Sequence, residues 1–250
     1  MIISIASQKG GVGKTTTSIS IAAGLAHEGN RILLIDMDSQ ANSTKVLSAD
    51  FSKLRKEESI YTTIIDKNPL PVVKSNIENL FIVPSHILLS ETDITLTTAM
   101  DHREARLKDK LDLIKNEYDH IIIDCPPALS WLTLNAFTAS DELLVVVAPG
   151  PFEIDAINQL SQVYEQVKRE FNKNLKMRGF AFVMTDPTNA SKISLQILRQ
   201  AYSSLVLDTT IPRNTDIRDA HLANQDIFTF NSKSAAANGY KKLITEIFNV

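Results

Sequence analysis

The sequence lacks several features that characterise particular classes of protein. Its 250 residues include one cysteine, Cys125, which excludes a disulfide framework and a Cys-x-x-Cys metal pair and fits a reducing cytoplasm. No apolar run approaches the roughly 20 residues of a membrane-spanning helix. The sequence has no internal repeat, no low-complexity run and no linker rich in proline, glycine or serine. We therefore expect residues 1–250 to form a single α/β domain, without a signal peptide.

A glycine-rich segment near the N-terminus, residues 8–16, carries the strongest signal. It reads Gln-Lys-Gly-Gly-Val-Gly-Lys-Thr-Thr. It follows an apolar run at residues 2–6, typical of a buried parallel strand, and precedes apolar residues at helical spacing over residues 18–27. Strand, glycine loop and helix in this order predict a phosphate-binding loop. We expect a doubly wound, mostly parallel sheet with helices on both faces.

The chemistry of such a loop follows from its residues. Glycines let the main chain approach an anion closely, and the loop N–H groups together with the helix N-terminus favour negative charge. In this arrangement Lys14 contacts the β- and γ-phosphates of a nucleotide, and the Thr15 hydroxyl binds Mg²⁺.

The segment departs from the standard P-loop pattern. Gln8 stands where a glycine is expected, and a second lysine, Lys9, lies five residues before Lys14. In this the chain resembles the deviant Walker A ATPases of the ParA/MinD family. The resemblance implies that ATP is the nucleotide, and that Lys9 reaches the partner's phosphates across a nucleotide-sandwich dimer, as an arginine finger does. The predicted ATP-binding residues are then Lys9, Gly10, Gly11, Val12, Gly13, Lys14, Thr15, Thr16 and, from a later segment, Pro212.

Carboxylates follow two other apolar strands. Residues 31–36 end in Asp36, with Asp38 two residues later, and Asp124 ends an apolar run as in a Walker B strand near Mg²⁺. The family resemblance extends through both segments, although Ser39 replaces the usual proline. It implies that Asp38 positions the attacking water and that Asp36 supports Mg²⁺ through water. The predicted catalytic residues are Lys9, Lys14 and Asp38, and the predicted metal residues are Thr15, Asp36 and Asp124.

The C-terminal third supplies two further expectations. Pro212-Arg-Asn followed by a short helix resembles the ParA segment that lines the adenine, which places Pro212 beside the base. Residues 173–250 contain ten Lys/Arg and six Asp/Glu, a net +4 in a chain of net charge −3, so this third is modestly basic. The resemblance implies nonspecific DNA binding, although Pro187 and Asp216 depart from the chromosomal pattern. The predicted DNA contacts are Lys192, Arg199, Arg218 and Lys233.

Periodicity also predicts the remaining elements. We expect strands at residues 80–84, 142–148, 179–184 and 207–211. We expect helices at residues 60–65, 86–94, 102–118, 131–139, 152–171, 188–205, 216–223 and 234–248. The last helix carries an apolar stripe that we assign to the core.

The resemblance implies a ParA-type ATPase that partitions or positions a cargo, either a plasmid, a chromosome origin or a microcompartment such as the carboxysome. An ATP- and Mg²⁺-dependent homodimer would bind DNA on the nucleoid, and a ParB-like or other adaptor would stimulate slow hydrolysis. We expect no membrane partner. Two alternatives stay open: a MinD-like membrane-surface ATPase, although a separate basic tail is missing, and a metabolic P-loop enzyme. The nitrogenase iron protein is excluded, because it needs two cluster cysteines per subunit.

Overall fold

A computed structural model describes residues 1–48, 51–150 and 153–249. Its strands form one sheet in the order β3-β4-β2-β5-β1-β6-β7-β8. All neighbours are parallel except β3, which pairs antiparallel with β4. The strands are β1 (Ile2–Ala6), β2 (Ile32–Asp36), β3 (Val73–Lys74), β4 (Leu80–Val83), β5 (His120–Asp124), β6 (Glu142–Val147), β7 (Lys176–Thr185) and β8 (Val206–Pro212). The doubly wound, mostly parallel sheet is confirmed.

Helices cover both faces of this sheet. The helices are α1 (Lys14–His27), α2 (Asn42–Leu47), α3 (Ile60–Asp66), α4 (Thr92–Thr98), α5 (Arg106–Leu111), α6 (Trp131–Ala139), α7 (Glu153–Glu170), α8 (Asn189–Tyr202), α9 (Thr215–Leu222), α10 (Ile227–Asn231) and α11 (Ala235–Phe248). Helices α3 to α8 pack on one face, and α1, α2 and α9 to α11 pack on the other. Central strands are therefore buried on both sides, which explains their continuous apolar sequences.

The last helix belongs to the core, as its pattern predicts. Tyr240, Leu243, Ile244 and Ile247 of α11 are all buried, at 2% exposure or less. They pack in the same apolar cluster as Ile19 and its neighbours on α1. None of the described helices has both the length and the apolar character that a membrane span requires.

Two predicted helices are wrong in extent. In place of the helix predicted at residues 86–94, a 3-10 turn, Ile87–Glu91, leads into α4, which runs on to Thr98. Residues 102–118 form only α5 and a short 3-10 turn, Lys115–Glu117. Side chains bind main-chain groups at the end of α4 and at the start of α5. Arg103 donates to the carbonyls of residues 96, 97 and 99, and Asn135 accepts from the N–H of residue 107.

The other predicted elements lie close to the observed ones. Thr188 is the N-cap of α8 and accepts a hydrogen bond from the Ser191 N–H at 3.2 Å. Strand β3 and helices α2 and α10 carry too few residues for a periodic signal and were not predicted. The predicted start of α7 at Phe152 lies outside the described residues.

Gly179 permits the close approach of β7 to the chain before β8, and both strands lead to the site described below. Its φ is +149°, and a Cβ at this position would lie 2.5 Å from the Leu205 carbonyl oxygen. Gly29 has a φ of +90° with open space around it, so a change there brings backbone strain without a collision.

We expect Gly179→Ala to lower the free energy of unfolding by at least about 2 kcal/mol, because strain and overlap add. The matched change Gly29→Ala should cost about 1 kcal/mol. Urea unfolding of the two variants beside the parent protein measures both values. Equal losses would show that the β7 chain relaxes away from Leu205.

Candidate nucleotide-binding site

A cavity of about 720 Å³ lies at the carboxyl ends of the parallel strands, where ligands bind in open α/β sheets. We call it the carboxyl-end cavity. Residues from the glycine loop, from the segment after β2 and from the segment after β8 surround it. Its lining includes Gly10, Gly11, Gly13, Lys14, Thr15, Thr16, Asp38, Gln40, Asn42, Lys45, Val46, Pro127, Val183, Met184, Ile211, Pro212, Arg213, Asn214, Ile217, Arg218, His221, Leu222 and Tyr240.

The glycine loop forms one end of this cavity. Gly11 and Gly13 have φ values of +74° and +92°, a left-handed conformation that glycine adopts at little cost. Gly13 is the residue before α1, and its carbonyl accepts the hydrogen bond of the Thr17 N–H at 2.9 Å. The earlier N–H groups at the start of a helix have no intrahelical partner, so this end of α1 suits an anion.

The predicted phosphate and metal side chains lie at the same end. Lys14, Thr15 and Thr16 all line the carboxyl-end cavity, although Lys14 is only 6% exposed. Val12 is different, because its side chain is buried in the core beside α1. Only the main chain of Val12 is therefore placed to contact a ligand.

Asp38 also lines the cavity, on a short segment, residues 37–41, that we call the Asp38 loop. Its own main chain is fixed at both ends. The Asp38 N–H donates to the Asp36 carboxylate at 3.1 Å, and its carbonyl accepts from the Ser85 hydroxyl at 2.6 Å. Its carboxylate accepts the Gln40 N–H at 2.9 Å. Asp38 therefore presents a positioned carboxylate to the cavity.

Two fully buried carboxylates, Asp36 and Asp124, lie next to both the Asp38 loop and the start of α1, and we call them the aspartate pair. They are direct neighbours in the register between β2 and β5. Asp36 accepts the N–H and the hydroxyl of Thr44 at 2.9 and 2.7 Å. Asp124 accepts the hydroxyls of Ser18 and Ser43 at 3.0 and 2.7 Å. Neither carboxylate lines the cavity.

Burial governs the titration of the aspartate pair. It raises the pKa of Asp36 to about 8, with a further increase from the neighbouring Asp124 carboxylate. It also raises the pKa of Asp124, where hydroxyls of Ser43, Ser18 and Thr15 and the Lys14 ammonium oppose the shift. These opposing groups favour the ionised form of Asp124, and two of them, Lys14 and Thr15, belong to the glycine loop.

The segment after β8 gives the cavity an apolar part. Pro212 ends β8 there, and Ile217 and Leu222 of α9 also line the cavity. Met184 of β7 lies close to the glycine loop, because a Cβ on Gly13 would be 3.9 Å from its Sδ. Asn214 follows β8 and accepts the Asp216 N–H at 2.7 Å, which caps α9. The predicted phosphate residues and the predicted base residue thus share one cavity.

Comparison with known proteins agrees with this geometry. A family model described as an AAA domain matches residues 1–177. The sporulation initiation inhibitor protein Soj of Bacillus subtilis is 36% identical and aligns with 98% of this chain and 97% of its own length. The chromosome partitioning protein ParA of Caulobacter vibrioides is 32% identical over 99% of this chain and 94% of its own. The chain belongs to the ParA family of partition ATPases.

Solved structures share the ParA fold. A proposed plasmid partition protein of Borrelia burgdorferi, bound to AMPPNP, superposes with a TM-score of 0.84 at 26% identity, over 99% of this chain and 98% of the other. Cobyrinic acid a,c-diamide synthase from Mycobacterium smegmatis, with bound ADP and magnesium, gives 0.83 at 30% identity, over 97% and 91%. The similarity covers nearly the whole of each chain.

Besides Val12, the first two loop residues of this ParA homologue, Gln8 and Lys9, lie outside the cavity lining. Lys9 is exposed, and its N–H donates to the Ser7 hydroxyl at 3.4 Å. Gln8, which replaces the glycine of the standard P-loop, donates its side-chain amide to Gln159 on α7. The side chain of Gln8 therefore joins the loop to α7, a contact that glycine would not make.

The predicted DNA contacts are spread over several elements. Lys192 and Arg199 are exposed on α8, and Lys233 is exposed before α11, which packs on the other face of the sheet. Arg218 lines the carboxyl-end cavity and pairs with Asp219 at 3.5 Å, with its side chain 75% exposed. The DNA roles of these residues stay predictions.

Several site residues carried no usable sequence signal. Ser18, Ser43 and Thr44 bind the aspartate pair, and Lys45 and His221 line the cavity. Serine, threonine and lysine at such positions are common on any helix surface. These residues become recognisable as part of the site only in the structure, where α1, α2 and α9 bring them to the ends of the strands.

The buried hydroxyls should control the charge of Asp124. A raised folded-state pKa means that the folded chain holds this proton more tightly than the unfolded chain, so stability falls as pH rises above about 4. Ser43→Ala removes a donor to the ionised form and raises the pKa further. We expect a loss of about 1–3 kcal/mol that is larger at pH 8 than at pH 5, measured by urea unfolding without nucleotide.

Ser48→Ala is the matched control for this change. The Ser48 hydroxyl is buried and has no hydrogen-bond partner among the described residues, so its removal should be neutral or stabilising, and equally so at both pH values. A Ser43→Ala protein that behaves like Ser48→Ala would show that the Ser43 hydroxyl does not support the Asp124 charge.

Proposed function

We propose that this protein is a ParA-type ATPase that binds ATP and Mg²⁺, dimerises around the nucleotide and binds DNA without sequence preference. One observation carries the proposal: the glycine loop with Lys14, the carboxylate of Asp38 and the Pro212 segment all line a single cavity. Its relatives include partition proteins by name, and solved relatives hold AMPPNP or ADP with magnesium.

Bound ATP would lie with its phosphates against the start of α1. Lys14 is held there almost fully buried, so its charge is little screened by water. Main-chain N–H groups of Gly11 to Thr16 complete the anion site. Pro212 and Ile217 would offer an apolar surface to the base.

The donor set at this end fits Mg²⁺. The Thr15 hydroxyl lines the cavity, and Asp124 lies behind it as a hydrogen-bonded carboxylate. The described residues hold no cluster of three His, Cys, Asp or Glu, which suits a cation that takes few protein oxygens and otherwise phosphates and water. When bound, Mg²⁺ neutralises phosphate charge. The role of Asp36 would be indirect, because its buried carboxylate accepts hydrogen bonds from Thr44 and from the Asp38 N–H.

Asp38 would orient the attacking water. The Asp38 loop is fixed through Asp36 on one side and Ser85 on the other, so the carboxylate is positioned before ATP arrives. Lys9 would act from the partner subunit, which agrees with its exposure and its place outside the cavity of its own chain. Phosphate charge would then be fully neutralised only in the dimer.

The ATP-bound dimer would bind nucleoid DNA through basic residues of the C-terminal third. An adaptor on the cargo, ParB-like or of another kind, would stimulate hydrolysis and release the protein from DNA. Cycles of binding and release would partition or position a plasmid, a chromosome origin or a microcompartment such as the carboxysome. Phosphate contacts make such DNA binding sensitive to salt.

Two alternatives make different predictions. A MinD-like ATPase would bind anionic liposomes with ATP, yet the apolar stripe of α11 is packed in the core. A metabolic enzyme would act on a small molecule, and one solved relative at 30% identity is a diamide synthase. The 32% identity to the chromosome partitioning protein ParA of Caulobacter vibrioides, over nearly the whole of both chains, favours partition.

ATP, but not ADP, should make the protein dimerise and bind random-sequence DNA. The reason is that each Lys9 would contact the partner's phosphates only when the triphosphate is bound. Lys9→Ala should keep ATP binding and lose both the dimer and the DNA complex. Light scattering and gel shifts over a salt series measure these states.

Lys74→Ala, at an exposed lysine of β3, is the control for the loss of one positive charge and should behave like the parent protein. DNA binding that ignores the nucleotide would refute the proposed cycle. ATP-dependent liposome binding without DNA binding would instead support the MinD-like alternative.

Asp38→Ala should bind ATP, lower the hydrolysis rate by at least about 100-fold and accumulate as the dimer, because general-base or water-orienting groups contribute about this much. Phosphate release and size-exclusion chromatography with ATP give the two readouts. An Asp38→Ala protein that hydrolyses ATP at the parent rate would remove Asp38 from the chemistry.

A further inference from the structure

Lys45 of α2 lines the carboxyl-end cavity on the same wall as Asp38 and Gln40. Its ammonium donates to the Gln40 carbonyl at 2.8 Å and lies 5.6 Å above the Phe51 ring. The side chain is exposed to the cavity and to solvent, while its helix neighbours are buried. No motif in the sequence assigned a role to it.

The position of Lys45 is set by the two residues before it. Ser43 donates to Asp124 and Thr44 donates to Asp36, at 2.7 Å in each case, so α2 is attached to both members of the aspartate pair. The next residue must then project on the opposite, outward side of the helix. A lysine whose helix is fixed in this way is preorganised toward the cavity.

The charges around the cavity favour a role for Lys45 in phosphate binding. Among the described residues, Asp38 is the one acidic residue of the lining, and in the proposed function it orients the water that attacks the terminal phosphate of ATP. A cation beside Asp38 would offset the repulsion between its carboxylate and that phosphate. Lys45 is joined to the Asp38 loop through Gln40, whereas the other cations of the lining, Lys14, Arg213 and Arg218, lie on α1, after β8 and on α9.

We propose that Lys45 is a substrate contact that binds the γ-phosphate of ATP within its own subunit and so favours ATP over ADP. This assignment rests on the proposed function. Lys45 exchanges its bond to the Gln40 carbonyl for the phosphate, a charge-assisted contact that is stronger than the one it leaves. It is distinct from Lys9, which acts from the partner.

The test measures nucleotide affinity in a chain that does not dimerise. In a Lys9→Ala background, Lys45→Gln should weaken ATP binding about tenfold and ADP binding less than twofold, by isothermal titration with Mg²⁺ present. Lys45→Arg should recover most of the ATP affinity, because it keeps the charge. Lys74→Gln in the same background is the matched control and should change neither affinity.

Other outcomes of this experiment would contradict the Lys45 assignment or the proposed function itself. Equal losses for ATP and ADP, or a loss that Lys45→Arg does not recover, would overturn the γ-phosphate contact and leave Lys45 as a support for the Asp38 loop. An unchanged urea midpoint confirms that folding is intact. If the Lys9→Ala protein itself binds no ATP, the proposed function fails first, and the assignment of Lys45 fails with it.

Discussion

The site depends on two carboxylates that lie side by side in the interior. Asp36 and Asp124 end neighbouring parallel strands at the same register and are completely buried. Such a pair is costly, because burial and mutual repulsion both oppose ionisation. The structure offsets this cost with Ser18 of α1 and with Ser43 and Thr44 of α2. The same bonds that satisfy the carboxylates therefore fix the helices that line the cavity.

This arrangement ties the site to the sheet. The register of β2 with β5 aligns the aspartate pair, and the pairing of β1 with β5 places the glycine loop next to it. Parallel strands bring all these segments to one edge. On the far side, β7 and β8 carry Met184 and Pro212 to the same edge, so a slip in any of these strands would displace a wall of the cavity.

The sequence predicted what short, local patterns determine. Apolar strands ending in Asp36 and Asp124, and a glycine loop between strand and helix, are readable because each depends on adjacent residues. The helices at residues 86–94 and 102–118 were predicted with the wrong bounds. Arg103 and Asn135 bind main-chain groups at the end of α4 and the start of α5, and such contacts leave no local pattern in the sequence. Lys45 was not singled out, and Arg218 was assigned to DNA rather than to the cavity that it lines, because neither position carries a local pattern.

The proposed assignments give three lysines different parts in the response to the bound nucleotide. Lys14 is buried at the loop, Lys45 lies beside the Asp38 loop through its bond to Gln40, and Lys9 lies outside the cavity of its own chain. Under the proposed assignments, the first holds any nucleotide, the second responds to the terminal phosphate, and the third acts only between subunits. Loss of the γ-phosphate then removes the contacts of the second and third together, while the first still retains ADP. Separation of the dimer would thus follow hydrolysis without a separate release signal.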